Sequence, residues 1–281
     1  MGDSDRNRTL AREARRWRGG VSDRGTEIVA VEEPLEIRLG GRRFTLTMRT
    51  PGHDEELVAG FLFAEGFVRV ADEIGEIRRV RDHAGRPEPN IVDVILRVAA
   101  EDLRERLQRN FTVTSSCGLC GKTSIDSIRR RIERAADGFS ISARLLAELA
   151  GKMRARQALF NETGAAHAAA LFDPAGILQA LREDIGRHNA VDKIVGWAMG
   201  RGLLPLSQSV LMVSGRLSFE IVQKAAAAGV ALVAAVSAPS SLAIELADEA
   251  GTTLVGFLRN GAFNVYSHPE RVTAERGHPP T

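Results

Sequence analysis

The stretch SVLMVSGRLSFEIVQKAAAAGVALVAAVSAPSSLAIELADEAGTTLVGFLRN, residues 209–260, decides the fold of this 281-residue chain. Its three short apolar runs, at 209–215, 230–237 and 252–260, are typical of buried strands. A helical pattern with small residues near its start separates each run from the next. Strands that alternate with helices in this way predict parallel neighbours within one sheet.

The residues upstream extend this pattern. Helical spacing at 142–160 and 187–199 brackets two strand-like runs, at 167–173 and 176–184. A helix, two strands and then helices alternating with strands are the elements of a three-layer α/β/α domain. We therefore predict such a domain, with a partly parallel sheet, over residues 139–272.

A smaller unit of α+β character precedes that domain. Residues 27–50 alternate apolar and polar side chains on both sides of Gly40 and Gly41, which predicts an antiparallel hairpin. An amphipathic helix follows at 51–68, with Asp54 as its N-cap. The predicted organisation is a flexible tail at 1–25, a β-rich N-terminal domain at 26–138 that ends in a cysteine loop and helix, the α/β/α domain at 139–272, and a second tail at 273–281.

Composition narrows the class of protein. Hydrophobic residues make up 44% and charged residues 26% of the chain, as in soluble globular proteins. The longest apolar run, 229–239, is too short to cross a membrane. A net charge of +2 argues against binding nucleic acid through bulk charge. Two cysteines and no apolar leader segment predict a cytoplasmic protein without a disulfide framework.

Both cysteines, Cys117 and Cys120, lie in TSSCGLCGKTS, residues 114–124. A structural zinc site needs four ligands, and the six histidines include no close pair, so we predict no metal site. A helix that begins near Lys122 would favour the thiolate form, and the three-residue spacing lets one sulfur reach the other. The alternative is a pair of buried cysteines that act as small hydrophobes. The pattern favours reactive thiols and does not say which sulfur does what.

Three strand-to-helix junctions in the second half carry polar groups suited to an anion. The junctions are REDIGRHNAVDK at 182–193, VSGRLSFE at 213–220 and VSAPSS at 236–241. Ligands of α/β proteins bind where strands end and helices begin, and helix N-termini attract phosphate. The alternative for the junctions is that they are ordinary solvated helix starts. The alternative for His167 is a histidine of the core with one hydrogen bond. Together the three junctions predict a nucleotide-like ligand.

The segment GFLRNGAFNVYSHPERV, residues 256–272, is a fourth candidate. Arg259 closes the last predicted strand, and Asn260 and Gly261 form a turn. Taken alone, the segment could be a simple terminal hairpin.

These pieces, in this order, resemble the formate dehydrogenase accessory sulfurtransferase family, FdhD. The resemblance covers most of residues 27–272 and rests on TPGHDEELVAGFLFAEGF, SSCGLCG, TGAAHAAAL, EDIGRHNAVDKIVG, SGRLSFEIVQKAAAAG, SAPSSLAIELA and GFLRNGAFNVYSHPERV. It implies a cytidine-deaminase-like fold for the second domain. Because the zinc ligands and the catalytic glutamate of deaminases are missing, it implies no deamination.

The resemblance also implies a function and a set of site residues. The function is that of a sulfurtransferase, which takes sulfane sulfur from a cysteine desulfurase as a cysteine persulfide. It passes this sulfur to the bis-molybdopterin guanine dinucleotide molybdenum cofactor, its bound substrate, in the service of formate dehydrogenase. Cys117 matches the persulfide cysteine and Cys120 its helper. The matching cofactor-binding stretch is Phe257, Leu258, Arg259, Asn260, Gly261 and Ala262.

Six further residues complete the predicted cofactor site: His167, Arg187, His188, Lys193, Ser214 and Arg216. A guanine nucleotide such as GDP would be an analogue of the cofactor, and the resemblance implies a homodimer. Two alternatives from other classes stay open. One is a chaperone that binds and delivers the molybdenum cofactor without chemistry of its own, and the other is a thiol–disulfide oxidoreductase.

Overall fold

The computed structural model describes residues 8–111 and 134–274. The N-terminal elements are β1 (Thr9–Arg18), β2 (Val21–Ala30), β3 (Glu33–Leu39), β4 (Arg42–Arg49), α1 (Asp54–Ala64), β5 (Ile74–Arg81), β6 (Pro87–Leu96) and α2 (Ala100–Phe111). The elements of the second half are β7 (Ile141–Ser142), α3 (Ala143–Arg154), α4 (Ala158–Thr163), β8 (His167–Phe172), β9 (Leu178–Asp184), α5 (Arg187–Met199), β10 (Val210–Val213), α6 (Phe219–Ala227), β11 (Leu232–Ala235), α7 (Ser241–Glu249), β12 (Thr253–Arg259), β13 (Ala262–Ser267) and β14 (Val272–Thr273).

The main sheet has the strand order β13-β12-β11-β10-β8-β9. Strands β10, β11 and β12 are parallel, and the other neighbours are antiparallel. Helices α5, α6 and α7 pack on one face through residues such as Ile194, Val222 and Leu246. Helix α3 covers the opposite face through Leu146 and Leu149. The prediction of a three-layer α/β/α arrangement with a partly parallel sheet is confirmed.

A four-stranded sheet of order β4-β3-β6-β5 forms the core of the N-terminal part. The hairpin of β3 and β4 turns at Gly40 and Gly41, as the alternation around these glycines predicts. One face of the sheet, with Leu35 and Val94, packs against α1 through Leu57. This packing buries apolar residues of β3 and β6, the two central strands, so the N-terminal part has a core of its own.

The predicted flexible tail covers residues 1–25, and over its described residues, 8–25, the structure differs from this prediction. Strands β1 and β2 pair over ten consecutive residues in an antiparallel hairpin. Gly19 and Gly20, both with positive φ, make the tight turn between them. Because the strands are rich in charge and lack an apolar stripe, the sequence pattern does not reveal them.

Asp54 is not the N-cap of α1, as the sequence predicts, but its first residue. The N-cap is His53, in a left-handed conformation and without a side-chain capping bond. The Asp54 carboxylate is fully buried and lies 2.9 Å from Arg49 and 2.7 Å from Arg79. Burial alone would raise the pKa of Asp54, but the two guanidinium groups outweigh it and lower that pKa. The aspartate therefore joins strand to helix as a buried anion.

Helices α1 and α5 cross with their backbones in contact, and this crossing joins the two parts of the chain. A Cβ atom built on Gly60 would lie 1.9 Å from the carbonyl oxygen of Asp192. One built on Gly196 would lie 1.9 Å from the carbonyl oxygen of Glu56. Only glycine permits so close an approach. Within residues 8–111 and 134–274, no helix has both the length and the apolar character that crossing a bilayer requires.

Gly196→Ala tests this crossing. The added methyl group would overlap backbone atoms, which cannot move aside by changing rotamer as a side chain can. We therefore expect the free energy of unfolding to fall by about 3 kcal/mol. Urea denaturation followed by circular dichroism measures this loss. Gly151→Ala is the matched control because Gly151 is an exposed residue of α3 with nothing within 4 Å of its would-be Cβ. It should raise stability by roughly 0.5–1 kcal/mol, and equal effects of the two variants would contradict the account.

Candidate ligand-binding site at the sheet edge

The two cysteines, Cys117 and Cys120, lie outside the residues that the structure describes. Their assigned roles therefore stay predictions. The described residues show instead where the other predicted site residues lie. Most of them come from loops at one edge of the main sheet.

His167 and Ser214 meet at this edge because β8 pairs with β9 and β10. His167 lies opposite Asp184 on β9. Ser214 follows β10, and its Oγ accepts a hydrogen bond of 2.9 Å from the backbone N–H of Ala168. A Cβ atom on Gly215 would lie 3.4 Å from His167 Nδ1 and 3.7 Å from Arg187 Cβ. Because glycine has no side chain, an open space remains beside Gly215, between His167 and Arg187.

The next two loops continue the same edge. The backbone N–H of Leu217 donates to Ala238 at 3.1 Å, and that of Ser240 donates to Leu217 at 2.9 Å. The backbone N–H of Phe257 donates to Ser237 at 3.1 Å. The loop after β10, the loop after β11 and the turn after β12 are therefore side by side. We call the group formed by His167, Arg187, His188, Ser214, Gly215 and Arg216 the sheet-edge site.

The start of α5 gives this site a positive character. Its N-cap is Gly186, which offers no side-chain oxygen, and its first turn contains no acidic residue. Arg187 and His188 occupy that turn instead. The Arg187 Nε–H is buried and has no hydrogen-bond partner among residues 8–111 and 134–274. Free backbone N–H groups, the helix dipole and an unsatisfied guanidinium N–H all favour an anion at this position.

His188 reaches the start of the next helix. Its Nε2 lies 2.8 Å from the carboxylate of Glu220 and 3.4 Å from Ser218 Oγ. The hydrogen bond from His188 lowers the pKa of Glu220 and outweighs the effect of its partial burial. Because serine and glutamate share one ring nitrogen, the three residues do not form the relay of a serine hydrolase, which needs both nitrogens. Glu220 holds His188 in place, and the sequence pattern does not identify it.

The positive surroundings also act on His167. Burial lowers the pKa of His167 below its usual 6.5, and the charge of Arg187 lowers it further, followed by those of His188 and Arg216. The carboxylate of Asp184 opposes this shift. A lowered pKa favours the neutral imidazole, in which one ring nitrogen donates a hydrogen bond and the other can accept a proton.

The structure differs from the prediction that Lys193 contacts the cofactor. Its side chain is fully buried, and its Nζ lies 2.7 Å from Asp184 and 3.0 Å from the carbonyl oxygen of Thr50. Burial lowers the pKa of this ammonium, and the charge of Asp184 counteracts the shift. Lys193 has no route to a ligand at the surface, so its contribution to the site is structural. Sequence alone does not show this because Thr50 is distant along the chain.

The predicted cofactor-binding stretch is the turn between β12 and β13. Arg259, Asn260, Gly261 and Ala262 are exposed, whereas Leu258 is fully buried in the core. Leu258 is therefore a packing residue and not a contact. Phe257 has a φ of 54°, a strained conformation for a bulky residue of the kind found at ligand sites.

A cavity of about 440 Å³ adjoins this turn. Its lining residues are Phe257, Arg259, Asn260, Ala262, Phe263 and Asn264. Two aromatic rings beside amide groups and a guanidinium are the kinds of side chains that bind a heteroaromatic ring by stacking and hydrogen bonding. Phe263 and Asn264 were not among the predicted site residues, although they follow the predicted stretch directly. In the described part of the chain, no three His, Cys, Asp or Glu side chains group as metal ligands would.

Comparisons with known proteins agree with the resemblance seen in the sequence. A profile of the FdhD/NarQ family matches residues 30–273. A protein named sulfur carrier protein FdhD from Streptomyces avermitilis is 51% identical over 261 residues, which cover 90% of this chain and 92% of that protein. Its namesake from Nocardia farcinica is 49% identical over 253 residues, which cover 89% of each chain.

The fold is also similar to that of a solved structure. The crystal structure of a protein from Desulfotalea psychrophila, described as a formate dehydrogenase accessory protein, matches with a TM-score of 0.75 and 27% sequence identity. The match covers 95% of this chain and all of that one. The similarity therefore extends over both the N-terminal part and the α/β/α part.

Titration of His167 tests the electrostatics of the sheet-edge site. In proton NMR of the wild type, we expect His167 to titrate below pH 6.5, since burial and Arg187 both oppose protonation. Arg187→Gln should raise the pKa of His167 without bringing it fully back to 6.5, because burial remains. Arg187→Lys, which keeps the charge, is the control and should leave the pKa low. An unchanged pKa in Arg187→Gln would show that the guanidinium does not face His167.

Proposed function

The chain belongs to the FdhD/NarQ family, and on that basis we propose that it is a sulfurtransferase. It accepts sulfane sulfur from a cysteine desulfurase as a persulfide and delivers it to the bis-molybdopterin guanine dinucleotide molybdenum cofactor. The cofactor that has received the sulfur then serves formate dehydrogenase. We place the reaction in the cytoplasm and propose that the protein acts as a homodimer.

The sheet-edge site is the observation that supports this proposal. The acceptor carries guanine rings and phosphate groups, and the sheet-edge site together with the cavity beside the turn after β12 offers groups that match both. Arg187, Arg216 and the start of α5 suit phosphate, because guanidinium groups and free backbone N–H groups bind its oxygens. The cavity beside Phe257 and Phe263 suits a guanine ring. The site and the adjoining cavity together suit the nucleotide ends of the acceptor, and in this proposal the cysteines supply the sulfur.

The sulfur transfer needs two thiols. The Cys117 thiolate attacks the outer sulfur of the desulfurase persulfide, so that a new S–S bond forms on Cys117 and the desulfurase leaves as a thiolate. Cys120 then attacks the inner sulfur of the Cys117 persulfide. A disulfide forms, and the outer sulfur leaves as hydrosulfide for the molybdenum centre. The two thiolates supply the two electrons, and a cellular dithiol reduces the disulfide afterwards.

Neutral His167 is suited to proton transfer in this sequence. It stands at the sheet-edge site beside Arg187 and Arg216, with its pKa lowered by burial and by their charges. A neutral imidazole can accept the proton of a thiol or donate a hydrogen bond to the bound acceptor. The cations beside it favour negatively charged sulfur and phosphate alike.

A cofactor chaperone without sulfur chemistry is the second candidate. The polar groups of the sheet-edge site can bind an anionic ligand, and they include no thiol. Such a protein would still restore formate dehydrogenase activity in a deletion strain after both cysteines are changed to serine. The sulfurtransferase requires the opposite result. A thiol–disulfide oxidoreductase would instead oxidise or reduce a model dithiol without any desulfurase.

Mass spectrometry of the protein after treatment with cysteine desulfurase and cysteine tests the sulfur-carrier role. We expect one extra sulfur atom on the wild type and none on Cys117→Ala, because Cys117 is the proposed acceptor. Cys120→Ala should keep the extra sulfur but fail to release it. Sulfur on Cys117→Ala and none on Cys120→Ala would invert the two roles. A wild type that gains no sulfur would contradict the proposal.

A further inference from the structure

Thr50 connects the N-terminal part to the sheet-edge site through all of its polar atoms. It lies in the loop between β4 and α1 and is fully buried. Its backbone N–H donates to Asp184 Oδ2 at 3.1 Å, and its Oγ1 accepts from the backbone N–H of Ile185, also at 3.1 Å. Its carbonyl oxygen accepts from Lys193 Nζ at 3.0 Å. Each of the three bonds joins residues more than 130 positions apart in the sequence. Their partners lie on β9, in the turn after it and on α5.

Asp184 passes this connection on to the start of α5. Its Oδ1 accepts hydrogen bonds from the backbone N–H of Gly186 at 2.8 Å and from Asn189 Nδ2 at 3.0 Å. Asn189 Nδ2 also donates to the carbonyl oxygen of Met48 at 2.7 Å, two residues before Thr50. The turn that precedes Arg187 is therefore held on both sides by strand β4 and the loop after it.

The same bonds fix the distance between His167 and Arg187. His167 lies opposite Asp184 on the neighbouring strand, and Arg187 follows Asp184 by three residues. Gly215 lies between the two side chains. A small shift of the turn at Ile185 would move the Arg187 guanidinium relative to His167 and Gly215. A rigid turn, in contrast, holds the positive groups of the site in place before any ligand binds, which reduces the cost of ordering them.

We propose that Thr50 is a positioning residue for the sheet-edge site. Its hydroxyl group holds the turn at Ile185, and through that turn it sets the position of Arg187 and of the first turn of α5. The N-terminal part thereby controls the geometry in which the site receives an anionic ligand. This inference rests on the proposed function only in naming guanine nucleotide as the ligand.

A mainly stabilising role for Thr50 makes a different prediction from a positioning role. Thr50→Val keeps the size and the backbone bonds of the residue and removes only the bond to Ile185. Thr50→Ser keeps the hydroxyl group. Thr252→Val is the matched control, because Thr252 is another fully buried threonine whose hydroxyl makes one hydrogen bond, to Val230. It precedes β12, at the end of that strand opposite to the predicted cofactor-binding turn.

Two measurements on the full-length variants decide between the roles: GDP binding by calorimetry and the NMR titration of His167. In Thr50→Val we expect GDP to bind about tenfold more weakly, the loss expected from one hydrogen bond. We also expect the His167 pKa to move up, since displacement of Arg187 removes a charge that lowers it. Thr50→Ser should restore both values, and Thr252→Val should change neither.

Two outcomes would overturn the inference. One is a Thr50→Val protein that matches the wild type in both measurements. The other is a Thr252→Val protein with the same losses, which would show that they follow from reduced stability in general. If the wild type binds no GDP, the nucleotide part of the proposed function fails. The His167 titration of the three variants then decides alone whether Thr50 positions the site.

Discussion

The backbone contact between α1 and α5 at Gly60 and Gly196 is the constraint on which the rest of the structure depends. It brings the loop before α1 against the strand-to-helix turn that precedes α5, so that Thr50 meets Asp184 and Ile185. Two ion pairs of the buried Lys224 lie beside the crossing. Burial would lower the pKa of Lys224, but the carboxylates of Asp192 and Glu65, at 2.9 and 3.1 Å, outweigh this and raise it. Lys224 of α6 and Asp192 of α5 are thus buried beside the crossing as partners of opposite charge.

The sheet-edge site is positive because the carboxylates and the cations of one segment face opposite directions. In the segment REDIGRHNAVDK the carboxylates face inward: Glu183 accepts hydrogen bonds from the first residues of α4, and Asp184 holds Lys193 and the turn before α5. Arg187 and His188 face the edge of the sheet. The acidic residues of this segment therefore do not pair with Arg187, whereas Glu220, from the next helix, pairs with His188. An anion that arrives there meets cations whose positions are already fixed.

The order of the elements could be predicted from the sequence because it depends on local periodicity. The buried runs of β10, β11 and β12 and the small residues after them also predict at which edge of the sheet a ligand would bind. The burial of Lys193 and the role of Thr50 could not be predicted in this way. Both depend on contacts between residues more than 130 positions apart, which no local pattern records. The charged hairpin of β1 and β2 was not predicted because it buries no regular apolar stripe.

The central claim is that the sheet-edge site binds the nucleotide end of the sulfur acceptor. Calorimetric titration of GDP into the wild type and Arg216→Ala tests it most directly, with Arg43→Ala as a control for an exposed arginine of the N-terminal sheet. The account predicts binding by the wild type, at least tenfold weaker binding by Arg216→Ala, since a charge-assisted bond is lost, and no change in Arg43→Ala. Absence of GDP binding by the wild type, or equal binding by all three proteins, would contradict the account.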